Sequence, residues 1–395
     1  MARAAKRSSA GRVAASAEVD ARHMARCLEL AATMRGQTAP NPMVGCVIVD
    51  ARGRVVVEGV HRGPGQLHAE ADAIAKLGKR SVAGGTLYVN LEPCNHTGRT
   101  PPCAPAVAAL GLARVVIGDM DPIVSHSGGG KRLRRAGLHV DVGVLRAQCQ
   151  TLNRGFRTWA RTGRPHVVLK AGASLDGKIA TASGESQWIT SAAARHDAMQ
   201  QRALCDAIVV GIGTVLADDP KLTVRGVRNG RSPIRVVLDS HARTPLTAAL
   251  LPAQARDGVR VIIATSARAT ADGAAQRRAA RLAAAGAHVL RLPSDQDQRV
   301  DLHALLTALT EFGVLTALVE GGGIVHAGFL AADLVDEILL YQAPLIIGGD
   351  GAPGWVRGTG AARLAAAPRF EFIAAPSTVG PDLVLRLRRT IDADG

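Results

Sequence analysis

The chain has 395 residues, 47% hydrophobic and only 3% aromatic, so we expect two domains or one large one with a core of Ala, Val, Leu and Ile. The net charge of +15 comes mostly from scattered arginines, which together with the scarce aromatics argues against a nucleic-acid partner. No apolar run reaches the roughly 18 residues of a membrane span, so no membrane partner is expected.

The N-terminal residues 1–18 are basic and lack an apolar stretch, which is not the pattern of a secretory signal. We interpret them as a disordered basic tail, although a transit peptide has a similar composition. We therefore expect a cytoplasmic protein whose six cysteines are reduced. In a reducing compartment, metal binding is a better use for paired cysteines than a disulfide.

Residues 19–150 alternate helical and strand patterns, which predicts a first domain of layered α/β architecture. The predicted helices are 20–34, 69–77, 103–110 and 130–136. The predicted strands are 44–49, 55–58, 85–91, 114–117 and 138–142.

Four side chains of this domain have the chemistry of a catalytic zinc site. His68 opens a predicted helix, Cys94 follows a predicted strand, and Cys103 opens the next helix. One imidazole and two thiolates on tetrahedral Zn²⁺ leave a fourth position for water, which the metal makes acidic. Glu70 lies two residues past His68, close enough to move a proton without binding the metal. The set predicts a zinc deaminase acting on a nucleobase-like amine.

The spacing of the two cysteines leaves an alternative open. Eight residues separate Cys94 from Cys103, whereas the commoner Pro-Cys-x-x-Cys signature of deaminases has two. Buried structural cysteines are common and would explain the pair without a metal. The other four cysteines have no metal-like partners nearby in the sequence, and we interpret them as structural.

A second domain is predicted over 166–395, after a polar, arginine-rich linker at 151–165. Its pattern is again α/β, without a convincing repeat of the first half. The predicted strands are 166–171, 207–211, 234–239, 259–264, 287–290, 317–319 and 337–341. A glycine run after Glu320 suits a phosphate at a helix start, but it lacks the Gly-x-Gly-x-x-Gly spacing of a Rossmann domain.

Three segments of the first domain form a specific pattern: residues 39–45 read APNPMVG, residues 68–70 read HAE, and residues 91–103 read LEPCNHTGRTPPC. They closely resemble the deaminase half of the bifunctional riboflavin-biosynthesis deaminase–reductases. The resemblance implies a cytidine-deaminase-like α/β/α fold and a diaminopyrimidinone substrate that carries a ribosylamino 5-phosphate.

The same resemblance implies roles for individual residues. His68, Cys94 and Cys103 would bind Zn²⁺, and Glu70 would donate the proton. The residues implied to contact the substrate are Asn41, His61 and His96. An asparagine suits the edge of a pyrimidine because its amide offers both a donor and an acceptor.

One loop departs from this family. The family commonly has Asp-Pro-Asn-Pro followed by Gly-Arg-Gly, whereas residues 121–130 of this chain read DPIVSHSGGG. An amide and an arginine, both suited to a base or a phosphate, are missing. His126, Ser127 and the glycine N–H groups could take over their contacts, since a glycine-rich helix start binds anions.

The second domain carries a further set of segments: 170–178 (KAGASLDGK), 183–191 (SGESQWITS), 211–225 (GIGTVLADDPKLTVR) and 319–323 (VEGGG). Together they resemble the reductase half of the same family, and the match runs with gaps from about residue 23 to residue 387. The resemblance implies a dihydrofolate-reductase-like α/β fold, NADPH as cofactor, and hydride transfer to C1′ of the opened ribosylamine, which yields a ribityl chain. The hydride chemistry is the cofactor's, and the protein supplies orientation and electrostatics.

The resemblance also assigns residues of the second domain. NADPH would contact Gly172, Trp188, Thr214, Asp218, Ser240 and a turn made of Gly322, Gly323, Ile324, Val325, His326, Ala327 and Gly328. The phosphoribosyl substrate would be held by Ser186, Arg202, Leu222, Arg225 and Glu320.

Physical chemistry supports some of these assignments better than others. Arg202 and Arg225 make sense as a phosphate fork, although in so arginine-rich a chain each is otherwise interpreted as a surface residue. Lys170 and Glu320 are candidate proton relays at the ends of predicted strands. Spacing alone leaves open that Lys170 is a strand-end lysine that reaches solvent.

The leading prediction is a bifunctional enzyme, a zinc-dependent hydrolase (deaminase) and an NADPH-dependent oxidoreductase, acting in succession on a phosphorylated pyrimidine. Three alternatives stay open: a nucleic-acid deaminase, a regulatory protein with one inactive half, and a paralogue that performs the same reactions on a related heterocycle. The strands of the second half could pair between two chains, which makes a homodimer a hypothesis.

Overall fold

The computed structural model describes residues 2–97, 101–268, 271 and 273–390, with only the helical backbone described for 2–16, 253 and 255. It divides into two compact units, Met1–Gly163 and Arg164–Gly395. The predicted basic tail, 1–18, lies almost entirely outside the fully described residues. Within the described part of the chain, no helix is both long and apolar enough to cross a membrane.

Unit 1 contains a five-stranded sheet in the order β2-β1-β3-β4-β5. The strands are β1 (Gly45–Val49), β2 (Val55–Val60), β3 (Thr86–Leu91), β4 (Arg114–Asp119) and β5 (His139–Val142). The helices are α1 (Ala2–Ala32), α2 (Ala69–Leu77), α3 (Cys103–Ala108), α4 (Gly129–Arg135), α5 (Arg146–Leu152) and α6 (Arg154–Thr162). All five strands predicted for this half are confirmed.

Apolar residues cover both faces of this sheet, which explains the continuous apolar run of β1. Cys46 and Ile48 belong to a core cluster that includes residues of α2 and α3, whereas Val47 and Val49 pack with residues of α1 and α5. A strand buried on both faces reads as an unbroken hydrophobic run rather than an alternation. Helices on both sides of the sheet make unit 1 an α/β/α sandwich.

The parallel strands of unit 1 bring two loops to one edge of the sheet. β3 and β4 are parallel neighbours, with Leu91 opposite Asp119. The segment that follows β3 therefore lies beside the loop that follows β4. In parallel α/β sheets, ligands bind at this carboxyl edge.

The predicted linker at 151–165 is wrong, because most of it is helix α6 and belongs to unit 1. Phe156 and Thr158 are buried there, and Arg157 forms an ion pair with Asp119 of β4 at 2.5 Å. The helix ends at Gly163, whose left-handed backbone (φ 73) suits a glycine. Arg157 therefore contributes to the polar composition that suggested a linker, but in the structure it pairs with a buried carboxylate.

Unit 2 contains a ten-stranded sheet in the order β10-β9-β8-β7-β11-β6-β12-β15-β13, with β14 paired to β15. The strands are β6 (His166–Ala173), β7 (Ala207–Gly211), β8 (Ile234–Leu238), β9 (Val261–Ser266), β10 (His288–Leu292), β11 (Thr316–Gly321), β12 (Glu337–Gln342), β13 (Phe370–Phe372), β14 (Ser377–Val379) and β15 (Asp382–Arg389). The helices are α7 (Ala192–Ala203), α8 (Ile212–Asp218), α9 (Leu250–Asp257), α10 (Gly273–Ala284), α11 (Leu302–Glu311) and α12 (Gly323–Ala331), with a short 3₁₀ helix at Leu364–Ala366.

The strand order of unit 2 reverses at β11. The chain runs from β6 outward through β7 to β10, and β11 then returns to lie between β7 and β6 in parallel with both. Such a switch point opens a crevice at the carboxyl ends of the strands, where ligands bind in open α/β sheets. The seven strands predicted for this half are confirmed, whereas β13, β14 and β15 were missed.

Candidate active sites

The three predicted zinc ligands of unit 1 come together, with their ligand atoms within 4.8 Å of one another. Nδ1 of His68 lies 3.5 Å from Sγ of Cys94 and 3.4 Å from Sγ of Cys103. A tetrahedral zinc ion with Zn–S of about 2.3 Å and Zn–N of about 2.1 Å separates nitrogen from sulfur by about 3.6 Å. The residues therefore fit the ion.

The local structure places each ligand at the end of an element. His68 precedes α2 with an extended backbone, Cys94 follows β3, and Cys103 is the first residue of α3. The backbone N–H of Cys103 lies 3.3 Å from Sγ of Cys94. Hydrogen bonds from Cys103 and then His68 hold the pKa of the Cys94 thiol well below its usual range. The thiolate is the form that binds metal.

We expect the purified chain to hold one zinc ion and Cys103→Ala to lose it, because two remaining protein ligands do not complete the site. Elemental analysis after exhaustive dialysis measures the zinc content. Cys205→Ala is the matched control, since Cys205 is also a buried cysteine but lies in unit 2. Full zinc retention by Cys103→Ala would contradict the assignment.

Glu70 lies in the first turn of α2 and is 3% exposed. Burial raises the pKa of its carboxyl group to about 7. A carboxyl group that exchanges its proton near neutral pH has the property a general acid–base requires. The structure thus puts a proton carrier beside the three metal ligands.

A cavity of about 140 Å³ opens onto this cluster. It is lined by Asn41, Pro42, Val44, His61, His68, Glu70, Leu91, Glu92, Cys94, His96, Asp121 and His126. All three residues predicted to contact the substrate are in that set. Two acids of the cavity, Glu92 and Asp121, were not predicted from the sequence, although Glu92 directly precedes the Pro-Cys dipeptide.

Hydrogen bonds set the orientation of Asn41. His61 contacts the carbonyl oxygen of Leu67 through Nδ1 at 2.9 Å and the Asn41 amide nitrogen through Nε2 at 3.0 Å. A carbonyl only accepts, so Nδ1 carries the proton and Nε2 accepts from Asn41. Burial lowers the pKa of His61, which favours this neutral form. The Asn41 oxygen is then the acceptor left for an amino group of a ligand.

Glu92 holds the loop that departs from the family pattern. Its Oε1 accepts hydrogen bonds from the N–H groups of Gly128 and Gly130, at 3.1 and 2.9 Å. The hydroxyl of Ser127 donates to the carbonyl oxygen of Val124 at 2.9 Å. The expectation that the glycine N–H groups replace the missing arginine is therefore wrong for Gly128 and Gly130, because a carboxylate already occupies them.

The second site lies at the switch point of unit 2, around Glu320 at the end of β11. Arg202 of α7 binds this carboxylate with two nitrogens, at 3.0 and 2.8 Å, and donates a third bond to the carbonyl of Thr223. Nζ of Lys170, on β6, lies 3.9 Å from the same carboxylate. Burial opposes the charge of Glu320, but Arg202 and Lys170 lower its pKa to about 2.

The phosphate fork predicted from Arg202 and Arg225 is not formed. Arg202 is 8% exposed and its guanidinium makes three hydrogen bonds, two to Glu320 and one to Thr223, whereas Arg225 is exposed. A fork needs two guanidinium groups free to face one anion. Arg225 keeps that property and Arg202 does not.

Several predicted NADPH contacts meet at the carboxyl ends of neighbouring strands. Gly172 is in β6, Thr214 follows β7, Ser240 follows β8, and Gly322 follows β11. A Cβ atom at Gly322 would lie 3.6 Å from Oγ1 of Thr214, so these two strand ends touch. Small residues at a strand-to-helix turn let an anionic dinucleotide approach the backbone, so the residues fit the cofactor.

The predicted turn 322–328 is wrong in form, because Gly323–Ala331 is helix α12 and only Gly322 is a turn residue, with φ 71. His326 is 2% exposed and donates through Nδ1 to the carbonyl of Trp355 at 2.7 Å. A side chain buried in the second turn of a helix does not face a ligand that is bound at the first turn of that helix. Ile324, by contrast, is exposed.

The remaining predicted residues lie on surrounding segments. Trp188 is 66% exposed, with the Arg195 guanidinium 4.2 Å from its ring centroid. Oγ of Ser186 lies 3.4 Å from Oδ1 of Asp218. Leu222 is buried.

Comparison with known proteins covers both units. Residues 165–385 match the family model of the RibD C-terminal domain, and residues 17–119 match that of the cytidine and deoxycytidylate deaminase zinc-binding region. The riboflavin biosynthesis protein RibD of Bacillus amyloliquefaciens is 42% identical over 92% of this chain and 94% of its own length. RibD of Escherichia coli strain K12 is 40% identical over 93% of this chain and 99% of its own length.

Two solved structures share the fold along nearly the whole chain. Acinetobacter baumannii RibD, form 1, has a TM-score of 0.79 at 35% identity and covers 95% of this chain and 100% of its own. The diaminohydroxyphosphoribosylaminopyrimidine deaminase/5-amino-6-(5-phosphoribosylamino)uracil reductase of Thermotoga maritima has a TM-score of 0.79 at 31% identity, with the same coverage.

These relatives confirm the predicted fold class, a deaminase-like α/β/α domain followed by an α/β reductase domain. They also confirm zinc and NADPH as the cofactors, with the cluster of His68, Cys94 and Cys103 as the candidate zinc site. The chain therefore belongs to the RibD family, the bifunctional deaminase–reductases of riboflavin biosynthesis, and is both a hydrolase and an oxidoreductase.

Proposed function

We propose that unit 1 hydrolyses an amino group from 2,5-diamino-6-(5-phosphoribosylamino)pyrimidin-4-one and that unit 2 reduces the ribosyl group of the product to ribityl. The observation that carries this proposal is the cavity of about 140 Å³ that is lined by Glu70, Asn41 and two of the three proposed zinc ligands, His68 and Cys94. The Thermotoga maritima deaminase/reductase, which shares the fold over 95% of this chain, supports the choice of substrate.

In the deaminase site, different side chains bind the substrate and transfer the proton. Bound zinc makes water acidic enough to supply hydroxide near neutral pH. Glu70 takes a proton from the attacking water and delivers it to the departing amine. Asn41 accepts a hydrogen bond from an amino group of the pyrimidine, and His96 donates to or accepts from the same ring.

In the reductase site, NADPH supplies the hydride. We assign Lys170 and Glu320 to the substrate, because both lie at the carboxyl edge of the sheet beside the switch point. Arg202 holds the Glu320 carboxylate in place and so acts as a positioning residue. Arg225 is the exposed guanidinium left for the substrate phosphate. Ser186 and Leu222 stay assigned to the substrate.

The residues that we assign to NADPH lie mainly at the carboxyl ends of the strands. Gly172, Thr214, Ser240 and Gly322 border the crevice, and the first-turn N–H groups of Gly323 and Ile324 suit the pyrophosphate. Trp188 and Asp218 stay in the proposed set. His326 is not assigned a direct contact with NADPH, because its ring is buried.

Mass spectrometry of the products tests the proposed function. We expect the purified, zinc-loaded chain to replace one amino group of the ribotide by oxygen without NADPH, and to add two hydrogens to that product when NADPH is present. A folded, zinc-loaded preparation that changes neither mass would refute the proposal. Deamination without reduction would refute only the assignment of unit 2.

Two further properties stay proposals. The six cysteines are all buried and none forms a disulfide, which suits a reducing compartment and supports a cytoplasmic location. A homodimer is tested by light scattering during size-exclusion chromatography at several concentrations.

A further inference from the structure

Two imidazole rings stack in the deaminase cavity. His96 follows the zinc ligand Cys94, and His126 lies in the loop after β4. Their ring centroids are 3.8 Å apart and their planes differ by 11°. Both residues line the cavity, so the pair forms part of its wall.

The loop that carries His126 is tied to the segment that carries His96. The backbone N–H of Asn95 donates to the carbonyl oxygen of His126 at 3.2 Å. Glu92 accepts the N–H groups of Gly128 and Gly130, and Gly129 packs so closely on Pro93 that a Cβ atom would lie 1.8 Å from its carbonyl oxygen. Because three bonds and one close contact join the two segments, the stack has little freedom to shift.

His96 has a ring nitrogen that needs a partner. Its Nδ1 is buried and makes no hydrogen bond with any part of the chain that the structure describes. A buried polar atom without a partner destabilises the fold, so such atoms in a cavity wall are commonly satisfied by a ligand or a water. The plane of the ring decides where this nitrogen points, and the stacked ring of His126 sets that plane.

We propose that His126 is a positioning residue of the deaminase site: its ring stacks on His96 and holds the Nδ1 of His96 toward the bound pyrimidine. The proposal rests on the proposed substrate of unit 1. It gives a role to the loop in which this chain departs from its family, through ring contact rather than through the phosphate contacts suggested by the sequence.

Steady-state deamination kinetics test this role. We expect His126→Ala to raise the KM for the ribotide roughly 2- to 12-fold, the size of an aromatic-pair contribution, with a smaller change in kcat. His126→Phe keeps the stacked face and is expected to stay within about twofold of wild type. His126→Asn keeps hydrogen-bonding groups but loses the stack, and we expect it to resemble His126→Ala.

A double-variant cycle separates positioning from a general structural role. In a His96→Ala background, His126→Ala is expected to add no further increase in KM, because the residue acts through His96. Val124→Ala is the matched control, since that side chain is 87% exposed on the same loop. Reduction of pre-deaminated substrate and zinc content report whether each variant is folded.

Two results would overturn the inference. Additive effects of His96→Ala and His126→Ala would show that His126 acts independently of His96. A KM raised in His126→Phe but not in His126→Asn would show a direct hydrogen bond to the substrate, and this comparison does not need His126→Ala to fold. Absence of deamination by the wild-type chain would refute the proposed function instead.

Discussion

Replacement of Glu70 by glutamine is expected to lower the kcat of deamination by about 10²- to 10⁴-fold, the usual contribution of a positioned general acid–base. The amide has nearly the shape of the carboxylate but does not carry the proton. Glu70 is 3% exposed, and the other two acids of the cavity, Glu92 and Asp121, accept backbone hydrogen bonds from Gly128 and Ile123. Ammonia release from the ribotide measures this step.

The specificity of the Glu70 effect is checked within the same chain. NADPH oxidation with pre-deaminated substrate should keep its wild-type rate, and the zinc content should stay at one ion per chain. Asp72→Asn is the control variant on the same helix, since Asp72 bonds the N–H of Val60 and Lys76 and does not line the cavity. A Glu70→Gln enzyme within about tenfold of the wild-type kcat would assign proton transfer to another group.

Replacement of Glu320 by leucine is expected to cost about 3–5 kcal/mol in the free energy of unfolding of unit 2, because it leaves the buried Arg202 without its carboxylate. The two side chains are 12% and 9% exposed, so solvent screens this loss only weakly. Calorimetry of the full chain measures the shift of the unit 2 transition. Reduction of pre-deaminated substrate should be lost as well.

A second variant separates stability from substrate binding at this pair. Arg202→Met combined with Glu320→Leu removes both charges, and replacing a buried ion pair by apolar groups is often neutral or stabilising. We expect the double variant to recover most of the stability but not the reductase activity. Recovery of full activity would show that Glu320 serves only the fold.

The ion pair also predicts how unit 2 responds to acid. The pKa of Glu320 is lowered from its ordinary 4.5 to about 2, so the unfolded chain binds a proton there before the folded chain does. Its stabilising contribution is therefore complete above about pH 4.5 and is lost as the pH falls toward 2. The double variant should lack this part of the acid dependence.

The structure explains why some residues were predictable and others were not. His68, Cys94 and Cys103 were found because each stands at the end of an element that the hydrophobic pattern predicts. The interaction of Arg202 with Glu320 joins residues 118 positions apart, and no local sequence pattern predicts it. In a chain so rich in arginine, the sequence does not distinguish an exposed arginine from a buried one.

Helix α6 shows the same limit for secondary structure. Its polar, arginine-rich composition indicated a linker, but Arg157 is the partner of Asp119 and Phe156 packs inside unit 1. Polarity alone does not distinguish a solvent-exposed linker from a helix whose charges are paired across the fold. The identity of the partner is a tertiary property.

The sequence by itself determined the α/β class of both halves, the family and the candidate zinc site, because these depend on residue types at short, fixed spacings. Only the tertiary structure decided that Glu92 accepts from the Gly128 and Gly130 N–H groups, that Arg202 binds the Glu320 carboxylate, and that His126 stacks on His96. Each of these is a contact between residues distant in the chain, and a hydrogen-bonding group acquires its role only when folding selects its partner.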